Sequence, residues 1–275
     1  MLRRESLMKI NLITVSIICF VLSVLTVNAQ VYESRIGIQT WTLRNLSFEQ
    51  VVAFAVKNKI KYLEMMPRHL DPNAPPEEMR RKKKILDENG VVCYTIAASF
   101  TLDKAQNRKV FEFAKFMGMK LITTEPQDFK ILDNLEELAK EYDIKIAIHN
   151  HGIKSLYGNP KVLQNLLKYR DSRIGVCLDV GHLTGAGFDA EKVFRDYGAR
   201  VFDIHLKDVK VTYTKKGQTI TDVFIGTGDV NFKGLFSALR ETNYAGVLAI
   251  ETENDLKDAA AFVQEAVKFV EENKP

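Results

Sequence analysis

Short apolar runs, each closing on a polar residue able to do chemistry, recur through this chain and restrict what it can fold into. Ile144-Lys-Ile-Ala-Ile148 runs into His149-Asn150-His151, and Ile174-Gly-Val-Cys-Leu178 runs into Asp179, with His182 just beyond. Val201-Phe-Asp-Ile204 runs into His205 and Lys207, and Gly246-Val-Leu-Ala-Ile250 runs into Glu251. Runs of this length between helical stretches read as buried parallel strands. Reactive groups at the C-terminal ends of such strands are how a (β/α)8 barrel builds its active site. Two His, one Asp and one Glu at matching strand ends then make a pocket for one divalent metal.

Eight strand-then-helix units follow one another. Strands are expected near 36–40, 62–65, 91–97, 121–124, 145–149, 174–179, 201–207 and 247–251. Helices are expected from Ser47, a good N-cap, and over 77–88, closed by Gly90, 104–116, 132–142, 160–169, opened by Pro160, 190–197, 232–241 and 256–272. A glycine-rich loop is expected after Asp179. The long connection 208–229 holds a hairpin around Lys216-Gly217. The alternation also fits an open doubly wound sheet. Eight complete units, chemistry spread over most of them, and no glycine-rich phosphate fingerprint after the first strand favour the barrel. The chain has 275 residues, 46% hydrophobic, and a barrel takes about 250. The expected fold is therefore α/β, a single (β/α)8 TIM barrel over residues 30–275.

The first 29 residues read as an export signal: a basic start, the apolar stretch 10–27, and Val27-Asn28-Ala29 as a cleavage site before Gln30. The competing reading is an uncleaved anchor, since the stretch nears bilayer-spanning length. Cleavage places the protein outside the cytoplasm, in the periplasm, with no other membrane attachment. Of the cysteines the mature chain keeps Cys93 and Cys177, on opposite sides of a barrel and expected as buried free thiols. Arg3, Arg4, Lys9 and Glu5 fall in the first ten positions, so the formal charge of +4 drops by two beyond them. Such a balance gives no footprint for nucleic acid.

His149, Asp179, His205 and Glu251 are the candidate ligands. Two carboxylates offset a divalent charge, and two imidazoles select Mn, Co, Zn or Fe over a pure calcium or magnesium site. Alternation along a strand puts His149 with His151, and His205 with Lys207, so His151, His182 and Lys207 face a substrate beside the metal. Trp41 and Arg44 wall the mouth, and His69 lies either in the pocket or on the surface. Each residue also has a purely structural reading: a hydrogen-bonded core His, Asp179 capping the next turn, Glu251 paired with a nearby Lys or Arg. The joint pattern points to the ion.

The series Gln39-Thr-Trp-Thr-Leu-Arg44, His149-Asn-His-Gly152, Asp179-Val-Gly-His182, His205-Leu-Lys-Asp208, Gly226-Thr-Gly-Asp229 and Glu251 resembles the xylose isomerase-like barrel superfamily, nearest its sugar phosphate isomerase/epimerase group. The resemblance implies one divalent metal held by His149, Asp179, His205 and Glu251. Epimerases of that group carry Glu where this chain has His149, and that Glu works with the one on the eighth strand as an acid/base pair. Glu125, ending the fourth strand, is the candidate to replace it, or a helix-entry carboxylate ahead of Pro126. Glu64, ending the second strand, is a further candidate.

The expected activity is a metal-dependent sugar isomerase or epimerase. Glu251 and Glu125 exchange a proton next to a carbonyl, while Lys207, His151 and His182 hold hydroxyls or negative oxygen. If a β-substituent leaves instead, the same chemistry makes a lyase or dehydratase on a keto-sugar or keto-glycoside. Export makes a free sugar the expected partner. Two other classes remain: a metal-free carbohydrate-binding barrel, and an endonuclease IV-like nuclease, which needs more ligands than five His provide. A homo-oligomer stays open.

Overall fold

The computed structural model describes residues 35–215 and 217–273; the export signal expected over residues 1–29 lies outside them. Eight parallel strands form the expected barrel: β1 (Arg35–Gln39), β2 (Tyr62–Met65), β3 (Val92–Ile96), β4 (Leu121–Thr124), β5 (Lys145–His149), β6 (Ile174–Asp179), β7 (Val201–Leu206) and β10 (Val247–Ile250). They run in the order β3-β2-β1-β10-β7-β6-β5-β4. A parallel bridge between Ala97 and Thr123 joins the two ends, so the ring is nearly closed. Two further strands, β8 (Asp208–Thr214) and β9 (Gly217–Val223), pair antiparallel as the hairpin expected in the long connection.

Strand and helix boundaries follow local chemistry. Ser47 forms a full capping box with Gln50 at the start of α1 (Phe48–Lys57). α2 (Pro76–Glu88) starts on proline. Asp103 accepts from the amides of Ala105 and Gln106 to open α3 (Lys104–Met117), and Gly118 ends it in the left-handed conformation. α4 (Ile131–Tyr142) and α5 (Pro160–Leu167) follow as expected. One helix was not foreseen: the glycine-rich stretch after Asp179 is α6 (Val180–Gly185). α7 (Ala190–Tyr197), α8 (Phe232–Thr242) and α9 (Ala259–Asn273) complete the outer layer.

The sheet buries both faces. Ile146, Ile148, Val176, Leu178, Ile204, Leu206, Leu248 and Ile250 are fully buried. They alternate with the residues that line the barrel interior. That alternation sends His149, Asp179, His205 and Glu251 inward. The register aligns Asp179 with His205 and Ala249 with His205, which brings these strand ends level. Cys93 and Cys177 are buried free thiols, as expected.

Candidate metal centre and active site

Four side chains from four strand ends meet in the barrel mouth. His149, Asp179, His205 and Glu251 are all buried, and one ligand atom from each lies within 4.8 Å of the others. His149 Nε2 is 3.6 Å from Asp179 Oδ2, and His205 Nδ1 is 3.1 Å from Glu251 Oε2 and 3.9 Å from Asp179 Oδ2. None of these four atoms has a hydrogen-bond partner, although all are buried. Leaving one buried polar atom unmet costs about 1–3 kcal/mol, so four converging on one point call for a common partner. Two imidazole nitrogens and two carboxylate oxygens suit a divalent transition metal, and the residues present fit that ion.

The surrounding groups fix the orientation of each ligand. His205 Nε2–H donates to Glu64 Oε2 at 2.8 Å, which leaves Nδ1 bare toward the centre. A carboxylate behind a ligating histidine sets its tautomer in this way. Glu64 thus supports His205 through Oε2. Asn150 grips the backbone of Asp179 twice, donating to its carbonyl and accepting from its amide, each at 3.0 Å. Asp179 divides its work: Oδ1 accepts from the His182 amide at 2.7 Å and caps α6, while Oδ2 faces the centre.

Lys207 is 1% exposed and lies against Asp179 and Glu251. Its Nζ is 3.3 Å from Asp179 Oδ2, 3.4 Å from Glu251 Oε2 and 3.0 Å from Glu253 Oε1. Burial works against the Lys207 ammonium, but these carboxylates outweigh it and raise its pKa. Burial likewise works to raise Glu251, yet Lys207 and His205 hold it down at about 2. Burial pushes His149 down to about 4, so its ring is neutral, as a ligand must be. His205 shows the reverse. Burial opposes its charge, but the anionic neighbours Glu64 and Glu251 draw its pKa well up. The field that favours a proton at its Nδ1 favours a metal cation there equally.

A cavity of about 720 Å³ opens above the centre, lined by His149, His205, Glu251, Glu64, Trp41, Arg44, His151 and Glu125 among others. Glu125 Oε2 is 2.7 Å from His151 Nδ1, which in turn is 3.2 Å from His149 Nδ1. Burial raises Glu125, and the hydrogen bond and charge of His151 more than offset it. Arg44 stacks over Trp41, but its guanidinium is committed to the Trp41 and Glu253 carbonyls and to Asp255. His182 Nε2 sits 3.2 Å from both Lys207 Nζ and Glu253 Oε1. Asp179 and Glu253 raise the His182 pKa against the larger effect of burial.

His69 is placed neither in the pocket nor on the surface. It is 1% exposed, with Nδ1 on Thr40 Oγ1 and Nε2 on the Leu46 carbonyl, both at 3.1 Å. Both ring nitrogens are taken, so it is a structural histidine. Glu253 is the residue the sequence reading missed; it lines the cavity two positions after Glu251, and that spacing was its only signal.

A (β/α)8 barrel whose mouth collects two His, one Asp and one Glu that could hold a metal ion, with acid–base side chains alongside, defines a class of enzyme fold. The sequence matches the family described as Xylose isomerase-like TIM barrel over residues 52–273, and the chain belongs to that family. It is 28% identical to an inosose dehydratase of Clostridium tetani over 212 residues, 71% of this chain and 66% of that protein. The chain thus spans just under two-thirds of the length of that relative. A solved structure of an uncharacterised protein from Parabacteroides distasonis superposes with a TM-score of 0.68 at 26% identity, covering 87% of this chain and 98% of that one. The structure of the IolI protein, which holds a zinc atom, superposes with a TM-score of 0.69 at 16% identity, covering 87% and 97%.

Proposed function

We propose that this protein is a metal-dependent lyase that dehydrates a polyhydroxylated ketone, removing a proton beside the carbonyl and a hydroxyl from the next carbon. The observation that carries the reading is the convergence of four buried ligand atoms without a hydrogen-bond partner beside a cavity lined by the Glu125–His151 pair. A divalent ion held by His149, Asp179, His205 and Glu251 would act as a Lewis acid on the carbonyl and stabilise negative charge as the neighbouring proton leaves. Glu251, with its pKa near 2 and its Oε2 aimed at the centre, serves better as ligand than as base. The Glu125–His151 pair, half-open to the cavity, takes the proton. His182, its ring 4.9 Å from that of His151 and its pKa raised by Asp179 and Glu253 against burial, delivers a proton to the departing hydroxyl, which leaves as water. Lys207 stays protonated and steadies the carboxylates around it.

Similarity to an inosose dehydratase supports elimination over the isomerase or epimerase expected from the motifs. Isomerisation keeps one supporting observation: Glu125 and Glu251 both face the same cavity, as a two-base mechanism requires. Incubation of metal-loaded protein in heavy water with keto-inositols and ketoses separates the two. Loss of the hydrogen beside the carbonyl with growth of an unsaturated-ketone absorbance marks dehydration, and deuterium gain in a new saturated sugar marks isomerisation or epimerisation. Absence of both across the panel refutes proton abstraction as the activity.

A further inference from the structure

Phosphate groups in (β/α)8 enzymes commonly sit on backbone amides of the loops after the seventh and eighth strands. Here five amides of those loops are already taken by the chain's own carboxylates. Asp208 is buried and accepts from the amides of Val209 (2.9 Å), Gly226 (2.9 Å), Gly228 (2.7 Å) and Val230 (3.2 Å). A Cβ on Gly228 would fall 2.2 Å from Asp208 Oδ1, so the loop is drawn tightly around that anion. After β10, Asp222 Oδ2 accepts from the Glu253 amide at 2.7 Å and the Thr252 hydroxyl at 2.9 Å. The amides of Val209, Gly226, Gly228, Val230 and Glu253 are therefore not open to an incoming phosphate.

The cavity wall has the same bias. Glu64, Glu125, Glu251, Glu253 and Asp255 face it, against the Arg44 guanidinium, which is already committed, and the imidazoles of His149, His151 and His205, so acidic groups outnumber basic ones. Glu64 Oε1 is buried against the cavity with no hydrogen-bond partner. Carboxylates only accept hydrogen bonds, so they suit a ligand rich in hydroxyl donors and repel one that carries its own negative charge.

From these features we propose that the site selects an uncharged polyhydroxylated ketone and excludes its phosphorylated or carboxylated counterparts. The inference rests on the proposed ketone chemistry for the identity of the reacting group, and on the wall and loops for the charge. Binding is measured by ligand-observed NMR on the protein with and without added Mn2+. The probes are fructose against fructose 6-phosphate, and a keto-inositol against a six-membered ring ketone bearing a carboxylate. The neutral member of each pair is expected to bind at least about tenfold more tightly. Asp255→Asn, on an exposed residue, takes one negative charge off the wall and off Arg44, and should narrow that gap by about two- to fivefold.

Equal or tighter binding of the charged members overturns the inference, and so does a gap that Asp255→Asn leaves untouched. The isotope-exchange assay separates this failure from that of the reading beneath it. Neutral selectivity with neither loss of the hydrogen beside the carbonyl nor deuterium gain keeps the inference and overturns the chemistry. Deuterium gain on the charged members does the opposite, and no binding by any probe overturns both.

Discussion

Lys207→Met probes the centre most directly, because the ammonium stands where the ligand carboxylates need positive charge. Its Nζ touches Asp179 and Glu251, both buried, and the more exposed Glu253, at 3.0–3.4 Å. Removing one partner of a buried ion pair costs about 3–5 kcal/mol, and the half-exposed Glu253 adds little. In a chelator-treated sample the variant should lose about that amount. At about 2–4 °C per kcal/mol for a domain of this size, its Tm should fall by roughly 6–20 °C. A divalent ion on Asp179 Oδ2 and Glu251 Oε2 supplies the lost charge, so with saturating Mn2+ or Zn2+ the loss should shrink to about 1–2 kcal/mol. By linkage, the variant must then bind metal more tightly than the wild type, by about tenfold or more, even as turnover collapses. Thermal unfolding followed by circular dichroism, with and without metal, and a competition titration against a fluorescent chelator measure both quantities. An equal loss of stability in the two conditions, or weaker metal binding by the variant, would refute the view that these carboxylates share a cation.

Three further outcomes follow from the geometry. Glu125→Gln should leave metal content unchanged and lower deuterium exchange by about 10²–10⁴-fold; exchange at the wild-type rate would remove the Glu125–His151 pair from the proton path. His149, held at about 4 in the fold against an ordinary value of 6.5, takes up its proton in the unfolded chain first. It therefore withdraws stability as pH falls from 6.5 to about 4, by about 3 kcal/mol in total, and His149→Gln should flatten the metal-free stability curve in that window, as urea unfolding at stepped pH would show. Gly228→Ala would push a Cβ to 2.2 Å from Asp208 Oδ1 and 2.6 Å from the Val209 carbonyl, and should cost more than about 2 kcal/mol. Gly118→Ala, with open space but a φ of +82°, should cost only about 1 kcal/mol, and a chemical denaturation series that ranked the two equally would count against the Asp208 latch.

The barrel and the four side chains that converge in its mouth were legible because both follow from period two. An apolar run fixes a strand, alternation fixes which residues face in, and the last of them sits at the mouth. Glu253 obeys the same arithmetic and was readable from Glu251. His69 was not, because its place depends on how the loop after β2 folds back, and that turn puts the ring between Thr40 and the Leu46 carbonyl instead of over the centre. Glu64 was visible as a strand-end carboxylate, but its service to His205 from across the barrel is a tertiary fact.

The stretch after Asp179 shows why local propensity and function were hard to separate there. Gly181 and Gly185 weaken a helix, so a loop was the natural reading. The structure forms the helix and uses the missing side chain: a Cβ on Gly181 would lie 2.7 Å from Lys207 Cγ, so glycine there makes room for the buried lysine stem. The helix in turn needs its cap, and Asp179 provides it with one oxygen while presenting the other to the centre. Structural cap and metal ligand were set against each other as alternatives for this residue, yet a carboxylate has two oxygens and both roles hold it in one rotamer. The cap fixes where Oδ2 points, so the fold itself preorganises the ligand before any ion arrives.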